Sequence, residues 1–195
     1  MTRGHGLLEG FLARQRTSRA EALLASTPLS GRVLDIGCGT YPLFLLQSRF
    51  AERFGIDRVA PAELSAPGLT ILRRDIADPG GLPFEADYFD AVTMLAVFEH
   101  IETTTLARLL REVHRVLHAG GAYVMTTPAS WTEGILSVMA RVGLVSREEV
   151  GEHKGAYTHA EITSMLRASG FDPTLIRRGA FEAGMNLWVR AEKGR

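Results

Sequence analysis

A chain of 195 residues has the size of one domain with a substantial core, and its 22 basic residues are balanced by 22 acidic ones, a neutral sum that favours neither nucleic acid nor an anionic membrane. Its one cysteine, Cys38, excludes an internal disulfide and any cysteine-rich metal site, and a reducing cytoplasmic setting is the default. No stretch reaches the roughly 20 apolar residues of a membrane span, and the start lacks a basic segment followed by a long apolar core, so one non-secreted domain over 1–195 is expected.

From the N-terminus, Leu7, Leu8, Phe11, Leu12, Ala20, Leu23 and Leu24 recur at spacings of three and four with Arg14, Arg16 and Arg19 between them. The pattern predicts one amphipathic helix over 7–25 within a helical segment 1–30, and Pro28, Ser30 and Gly31 then turn the chain. The next stretch, Val33-Leu34-Asp35-Ile36-Gly37-Cys38-Gly39-Thr40, organises the rest. Its apolar run suits a strand buried on both faces, and its two glycines let backbone come close to a ligand. Pro42 to Leu46 then begins a helix with proline at its first position, giving strand, tight turn and helix. A glycine pair alone serves a bare turn as well as a binding site. Asp35 shifts the reading: a phosphate cradle presents N–H groups to an anion, so a carboxylate there favours a cationic ligand.

Phe54-Gly55-Ile56-Asp57 is a second apolar run ending in an acid, and Asp57 follows Asp35 by 22 positions. In a doubly wound sheet an acid about 20 residues beyond the glycine turn stands at the tip of the neighbouring strand, where it can accept both ribose hydroxyls. That spacing points to an adenosine-type ligand. Residues 58–68 hold two prolines and little room for a helix, so the crossover to the next strand, Thr70 to Arg73, is short or irregular and leaves that flank thinly covered. Arg74-Asp75-Ile76 ends that strand with a third acid.

Leu82 to Asp87 reads as a loop and Phe89 to Leu95 as a central strand. From Thr103 or Thr104, Leu106, Leu109, Leu110, Val113 and Leu117 mark one face of a helix, with Arg115 and His118 in its last turn and Gly120 beyond. Tyr123 to Thr126 is the next strand, stopped by Pro128. Residues 131–145 are apolar at helical spacing, readable as core. Thr158 and Glu161 form a capping-box pattern for a helix carrying Ile162, Met165 and Leu166 and ending at Gly170. Two closing strands, around Leu175 and from Met185 to Ala191, suit an antiparallel hairpin.

Taken in chain order, these stretches resemble the class I S-adenosylmethionine-dependent methyltransferases, specifically the small-molecule branch called type 11. The matching residues are Val33-Leu34-Asp35-Ile36-Gly37-Cys38-Gly39, Gly55-Ile56-Asp57, Arg74-Asp75-Ile76, Leu82-Pro83-Phe84 with Phe89-Asp90, Phe98-Glu99-His100, and Arg115-Val116-Leu117 with Gly120-Gly121. The resemblance implies a Rossmann-like α/β fold, with seven mostly parallel strands in the order 3-2-1-4-5-7-6, the last antiparallel, and helices on both faces. It implies S-adenosyl-L-methionine as cofactor, S-adenosyl-L-homocysteine as its product, and methyl transfer in line to O, N or C of a small-molecule or lipid-like acceptor. Carried over by position, Asp35, Gly37 and Gly39 would hold the methionine end, Asp57 the ribose hydroxyls, Asp75 the adenine amino group and Ile76 the adenine ring. Leu95 would offer its backbone carbonyl near the amino-acid portion. Cys38 lies in the same turn, either lining the cofactor or serving as a small buried apolar residue. In the family the leading helix often closes over the cofactor edge, with packing on the sheet as its simpler role. Segment 129–157 falls where the fold inserts acceptor-binding residues, so 131–145 reads equally as a lid, and its apolar character leans toward an apolar acceptor.

One position departs from the family pattern. A third glycine commonly stands two residues after Gly39, and here that residue is Tyr41. Tyrosine does not readily take positive φ, so a phenol enters the space beside the cofactor, narrowing its methionine end or lining the acceptor pocket; packing under the first helix is the alternative. A general base is needed only for a protonated acceptor. His100, just past the fourth strand, is the candidate, with anchoring of that turn as its structural alternative. His153 and Tyr157 form a fainter second cluster. The scattered histidines suggest no metal ligand set.

Two other classes stay open. A nicotinamide-dependent oxidoreductase shares the strand-turn-helix and the ribose acid, although its glycine motif serves a pyrophosphate, for which Asp35 and Tyr41 are poor choices. A non-catalytic cofactor-binding or interaction module would use the shortened second crossover as a docking face.

Overall fold

The computed structural model describes residues 9–61, 64, 66–132 and 157–195. Seven strands form one sheet: β1 (Arg32–Ile36), β2 (Glu52–Asp57), β3 (Leu69–Arg73), β4 (Phe89–Leu95), β5 (Leu117–Pro128), β6 (Ile176–Phe181) and β7 (Asn186–Glu192). Their order is β3-β2-β1-β4-β5-β7-β6, with β1 to β5 parallel to one another and β7 antiparallel to both β5 and β6. This is the order the resemblance implies. The described helices are α1 (Glu9–Leu23), α2 (Leu43–Gln47), α3 (Thr103–Val116) and α4 (His159–Ala168).

Two layers of packing explain the unbroken apolar run of β1. Leu34 and Ile36 face one core with Leu106, Leu110 and Val113 of α3 and Ile162 and Leu166 of α4. Val33 faces the other way, into a smaller core with Ala20 and Leu24 at α1 and Phe44 and Leu45 of α2. A strand covered on both faces has no position left for a polar residue except at its tip, which is where Asp35 stands. The chain leaves β1 for β2 on one side while β4 pairs on the other, so the strand order reverses between β1 and β4. Crevices at the carboxyl ends of such strands are where open α/β sheets bind ligands.

Several boundaries differ from the sequence pattern. α1 forms, but not as one apolar stripe: Phe11 is 55% exposed, and its buried positions are Thr17 and Ala20, small enough for the helix to lie close to the sheet, with Leu24 buried just beyond its end. Leu7 and Leu8 lie outside the described residues. Pro42 precedes α2 as its N-cap residue instead of opening it. α3 stops at Val116, so His118 stands in β5 and its ring nitrogen lies 3.6 Å from the Asp90 carboxylate. Gly120 is not a helix cap. It takes φ +83° inside β5, where Phe89 pairs with Leu117 but Ala91 pairs with Ala122, so the two glycines sit in an irregular step of the ladder. Leu175 belongs to a short 3-10 turn, Pro173–Leu175, and β6 starts one residue later. The capping box forms as expected, with the Thr158 hydroxyl accepting from the Glu161 backbone and the Glu161 carboxylate accepting from the Thr158 backbone. No helix forms among the described residues between β2 and β3.

Candidate functional site

β1 runs straight into the glycine turn. Gly37 N–H donates to the Ile56 carbonyl at 2.8 Å, so the β1–β2 ladder extends one residue past the strand, and the chain then bends at Gly37 (φ +77°) and Gly39 (φ +71°). A Cβ on Gly37 would come within 2.4 Å of a Val97 methyl carbon, so that position needs glycine on steric grounds as well.

Asp57, at the tip of β2, holds the turn in place. One carboxylate oxygen accepts from Gly39 N–H at 3.0 Å and the other from Val59 N–H at 2.9 Å. Asp35 is 5% exposed and accepts from the Thr93 hydroxyl on β4 at 2.7 Å. Burial pushes its pKa up from 3.8 to about 7, and the nearby Asp57 charge adds to the effect. A buried acid with a raised pKa in a cleft is suited to a cation, which restores the ionised form.

A cleft opens beside this turn, lined by Asp35, Gly37, Cys38, Tyr41, Leu43, Phe44 and Leu95, with Ala13, Arg16 and Thr17 of α1 along its other side. Ala20 of α1 packs on the sheet, while Ala13, Arg16 and Thr17 of its preceding turns line the cleft. Cys38 is buried, and its sulfur would lie 2.9 Å from a Cβ on Gly55; desolvation first, then the Asp35 and Asp57 charges, keep it a thiol. That chemistry suits an apolar lining residue and not a nucleophile. Tyr41 is 56% exposed at the cleft and does not pack under the helix as a core residue.

Of the positions singled out in the sequence, Asp35, Gly37, Cys38, Tyr41 and Leu95 line this cleft together, with Gly39 and Asp57 joined by the hydrogen bond beside it. Asp75 is exposed, and one of its oxygens accepts from Ala77 N–H at 2.8 Å; Ile76 is half-buried against the larger core. Neither lines the cleft. His100 lies in a 3-10 turn (Phe98–His100), its N–H donating to the Val97 carbonyl, while the adjacent Glu99 carboxylate is buried and accepts from Thr127 at 3.0 Å. Ala96, between β4 and this turn, holds φ +53°, a strained value for alanine. Tyr157 is buried edge-on to Phe98 at 4.9 Å, whereas His153 and residues 133–156 of the insertion lie outside the described residues. Thr93, Val97 and the α1 side chains Arg16 and Thr17 are site residues that the pattern did not reveal. Among three arginines spaced along α1, only packing shows which one enters the cleft.

The strand order and the reversed last strand are those of the class I S-adenosylmethionine-dependent methyltransferase fold. Residues 34–125, from within β1 into β5, match the family Methyltransf_11, a methyltransferase domain. Solved structures agree on the fold. An S-adenosylmethionine-dependent methyltransferase from Mesorhizobium loti is 22% identical, over 89% of this chain and 97% of that one, with a TM-score of 0.66. A chain of a complex containing the Haloferax volcanii Trm112 methyltransferase activator is 17% identical over 98% and 99%, with a TM-score of 0.68. The Burkholderia thailandensis 1,6-didemethyltoxoflavin-N1-methyltransferase, solved with bound 1,6-didemethyltoxoflavin and S-adenosylhomocysteine, is 18% identical over 94% and 79%, with a TM-score of 0.64. No curated protein is significantly similar to the chain in sequence. Among the described residues no helix is long and apolar enough to cross a membrane, and no group of three metal-ligating side chains comes together.

Proposed function

We propose that the chain methylates O, N or C of a small-molecule or lipid-like acceptor, using S-adenosyl-L-methionine and releasing S-adenosyl-L-homocysteine. The observation that carries this reading is the buried Asp35 carboxyl, which lines the cleft beside the glycine turn with the Thr93 hydroxyl as its described partner. Such a group favours a positively charged ligand and opposes a pyrophosphate.

The residues divide the ligand between them. Asp35 takes the ammonium of the methionine portion, Gly37 and Gly39 allow its close approach, and the Leu95 carbonyl accepts beside it. Cys38 and Tyr41 line the same end. Asp57 receives the ribose hydroxyls, and Asp75 and Ile76 serve the adenine. The cofactor supplies a methyl group on a positively charged sulfur, open to displacement by an acceptor lone pair. Alignment and exclusion of water then provide most of the acceleration. His100 takes the acceptor proton where there is one, positioned by the turn that Glu99 ties to Thr127.

An apolar acceptor is supported by Trp131, 59% exposed just beyond β5, and by the Phe98–Tyr157 ring pair. The buried thiol of Cys38 suits a reducing cytoplasm. Isothermal titration with S-adenosylhomocysteine and with NAD tests the ligand class, with binding of the first alone expected. Incubation of the protein with methyl-labelled cofactor and a cell extract then tests turnover, and label transferred to a small apolar product is the expected result. The nicotinamide reading loses support from the strand order, which differs from the 3-2-1-4-5-6 of dinucleotide-binding sheets. A second reading, a module that binds the cofactor and a protein partner without turnover, draws on the open β3 edge beside a crossover with no described helix. It predicts cofactor binding with no transfer of label.

A further inference from the structure

Four non-glycine residues among those described hold positive φ: Asp87, Ala96, Glu182 and Ala183. Three of them have a local reason. Asp87 is exposed, and aspartate tolerates the left-handed region. Glu182 and Ala183 are the central residues of the turn from β6 to β7, closed by Gly184 N–H on the Phe181 carbonyl, and a two-residue hairpin turn of this kind demands positive φ at both. Ala96 has no such reason. It is 8% exposed and lies in no hairpin, and its Cβ crowds the carbonyl oxygen that follows. Strain of this kind persists only where the surroundings impose it.

Those surroundings act on each residue of the segment in turn. Ala96 N–H donates to the Thr126 carbonyl at 3.0 Å and also to the Thr126 hydroxyl at 3.2 Å. Val97 covers Gly37, with a methyl carbon 2.4 Å from where a Cβ on that glycine would stand. Phe98 meets the Tyr157 ring edge-on, and the Glu99 carboxylate accepts from the Thr127 hydroxyl. His100 N–H then closes the turn on the Val97 carbonyl. The peptide joining Leu95 to Ala96 is planar, so fixing its N–H fixes the whole unit. Ala96 is then the pivot between β4, whose Leu95 lines the cleft, and the turn that carries His100. A return of φ from +53° to an ordinary value of about −60° would swing the chain beyond it by roughly 110° and lift Val97 off Gly37.

Any residue at position 126 offers the carbonyl, whereas the second acceptor at this site is a hydroxyl, and Thr126 is fully buried, so water does not replace it. On the methyl-transfer reading proposed above, we infer that Thr126 is a positioning residue, its hydroxyl holding the Ala96 peptide and with it the left-handed turn that sets His100 beside the acceptor. Alanine at the pivot serves the same end. Glycine there would relax the strain and open further arrangements of the turn.

Three variants of the full chain test this. Thr126→Val is close in shape and lacks the hydroxyl, Thr126→Ser keeps it, and Ala96→Gly removes the strain while leaving both acceptors. Initial rates with methyl-labelled S-adenosylmethionine over a dilution series of cell extract separate the maximal rate from the extract concentration at half-maximum. Thr126→Val and Ala96→Gly should each lower the maximal rate by about 10- to 100-fold, with the half-maximal concentration and the affinity for S-adenosylhomocysteine within about twofold of wild type. Thr126→Ser should recover most of the rate. Ala96→Gly should lose rate at a Tm no lower than wild type, since relief of strain offsets the chain entropy of glycine. An undiminished rate in Thr126→Val or Ala96→Gly overturns the inference. So does a rate loss in Ala96→Gly that only follows a fall in Tm, or Thr126→Ser behaving as Thr126→Val does. Should Thr126→Val fail to fold, Ala96→Gly decides the matter. A wild type that does not bind S-adenosylhomocysteine brings down the cofactor reading, and one that binds it but transfers no label brings down the transfer reading, each taking this inference with it. Normal transfer by wild type and by both variants removes Thr126 alone.

Discussion

Replacing Asp35 with asparagine separates the charge of that side chain from its shape. The carboxyl accepts from Thr93 at 2.7 Å, and its pKa stands at about 7 where 3.8 is usual, chiefly because it is buried. The folded protein therefore holds this proton more tightly than the unfolded chain does, and stability falls as pH rises from about 4 through 7. At about 1.36 kcal/mol per pH unit the full penalty is ~4 kcal/mol, of which ~2 kcal/mol accrues between pH 5 and 7. Asparagine keeps the acceptor for Thr93 and has no charge to desolvate. Denaturant melts of the unliganded proteins should thus show wild type losing about 2 kcal/mol over that interval relative to Asp35→Asn. Cofactor affinity should move the opposite way, since a cation binds the ionised form. By the same linkage, wild-type affinity should rise about 15-fold from pH 5.5 to 7, while Asp35→Asn binds more weakly with a flat profile. Parallel stability curves for the two proteins would show that this carboxyl does not titrate near 7. Equal affinity at pH 7 would remove it from the cation site.

Gly37→Ala should cost about 2 kcal/mol or more, from a left-handed alanine and the 2.4 Å approach to Val97, and Val97→Ala should return part of it in thermal melts of the double variant. Tyr41→Phe should keep cofactor affinity and turnover while Tyr41→Ala lowers them, with wild-type behaviour in both abandoning its role at the site. His100→Ala should slow single-turnover methyl transfer by about 100-fold or more and flatten its pH profile, and an unchanged rate and profile removes it as a base. Thr158→Ala, which breaks the capping box of α4, should cost about 1 kcal/mol and lower Tm by about 2–4 °C with no change in cofactor affinity.

The strands nearest the site were readable because burial on two faces writes itself as an uninterrupted apolar run. β4 begins and ends where the run Phe89 to Leu95 does, and the acids at the tips of β1 and β2 mark the ends of theirs. The end of α3 was not readable for a tertiary reason. Arg115, His118 and Gly120 satisfy a local helix-stop pattern, yet Asp87 and Tyr88 donate to the Arg115 and Val116 carbonyls, drawing the chain into β5 before the pattern runs out. α1 shows the same limit in another form. Spacing grouped Phe11 with Leu24 on one stripe, but a helix that only touches the sheet along its second half leaves Phe11 in solvent. Thr93 carries no signal in the sequence because a threonine in a strand is ordinary; its hydroxyl acquires meaning only when parallel pairing sets it opposite Asp35.

The two acids that looked alike in the sequence do different work in the fold. Asp57 spends one lone pair of each oxygen on the backbone of the glycine turn, so its substitution perturbs the turn whether or not a ligand binds. Asp35 has a single described partner, a neutral hydroxyl, and no ion pair among the described residues engages it. Burial raises its energy while little in the described fold lowers it, which is the mark of a group kept for a ligand and not for the scaffold. A comparison of Asp57→Asn with Asp35→Asn in the unliganded protein makes the distinction measurable. The first should loosen the turn and lower stability at every pH, through the weakened bonds to Gly39 and Val59, whereas the second should raise stability at neutral pH. Opposite signs in the same melt would identify Asp35 as the one whose function costs the fold something. Two losses of similar size would make both acids structural and leave the cleft without its reason to prefer a cation.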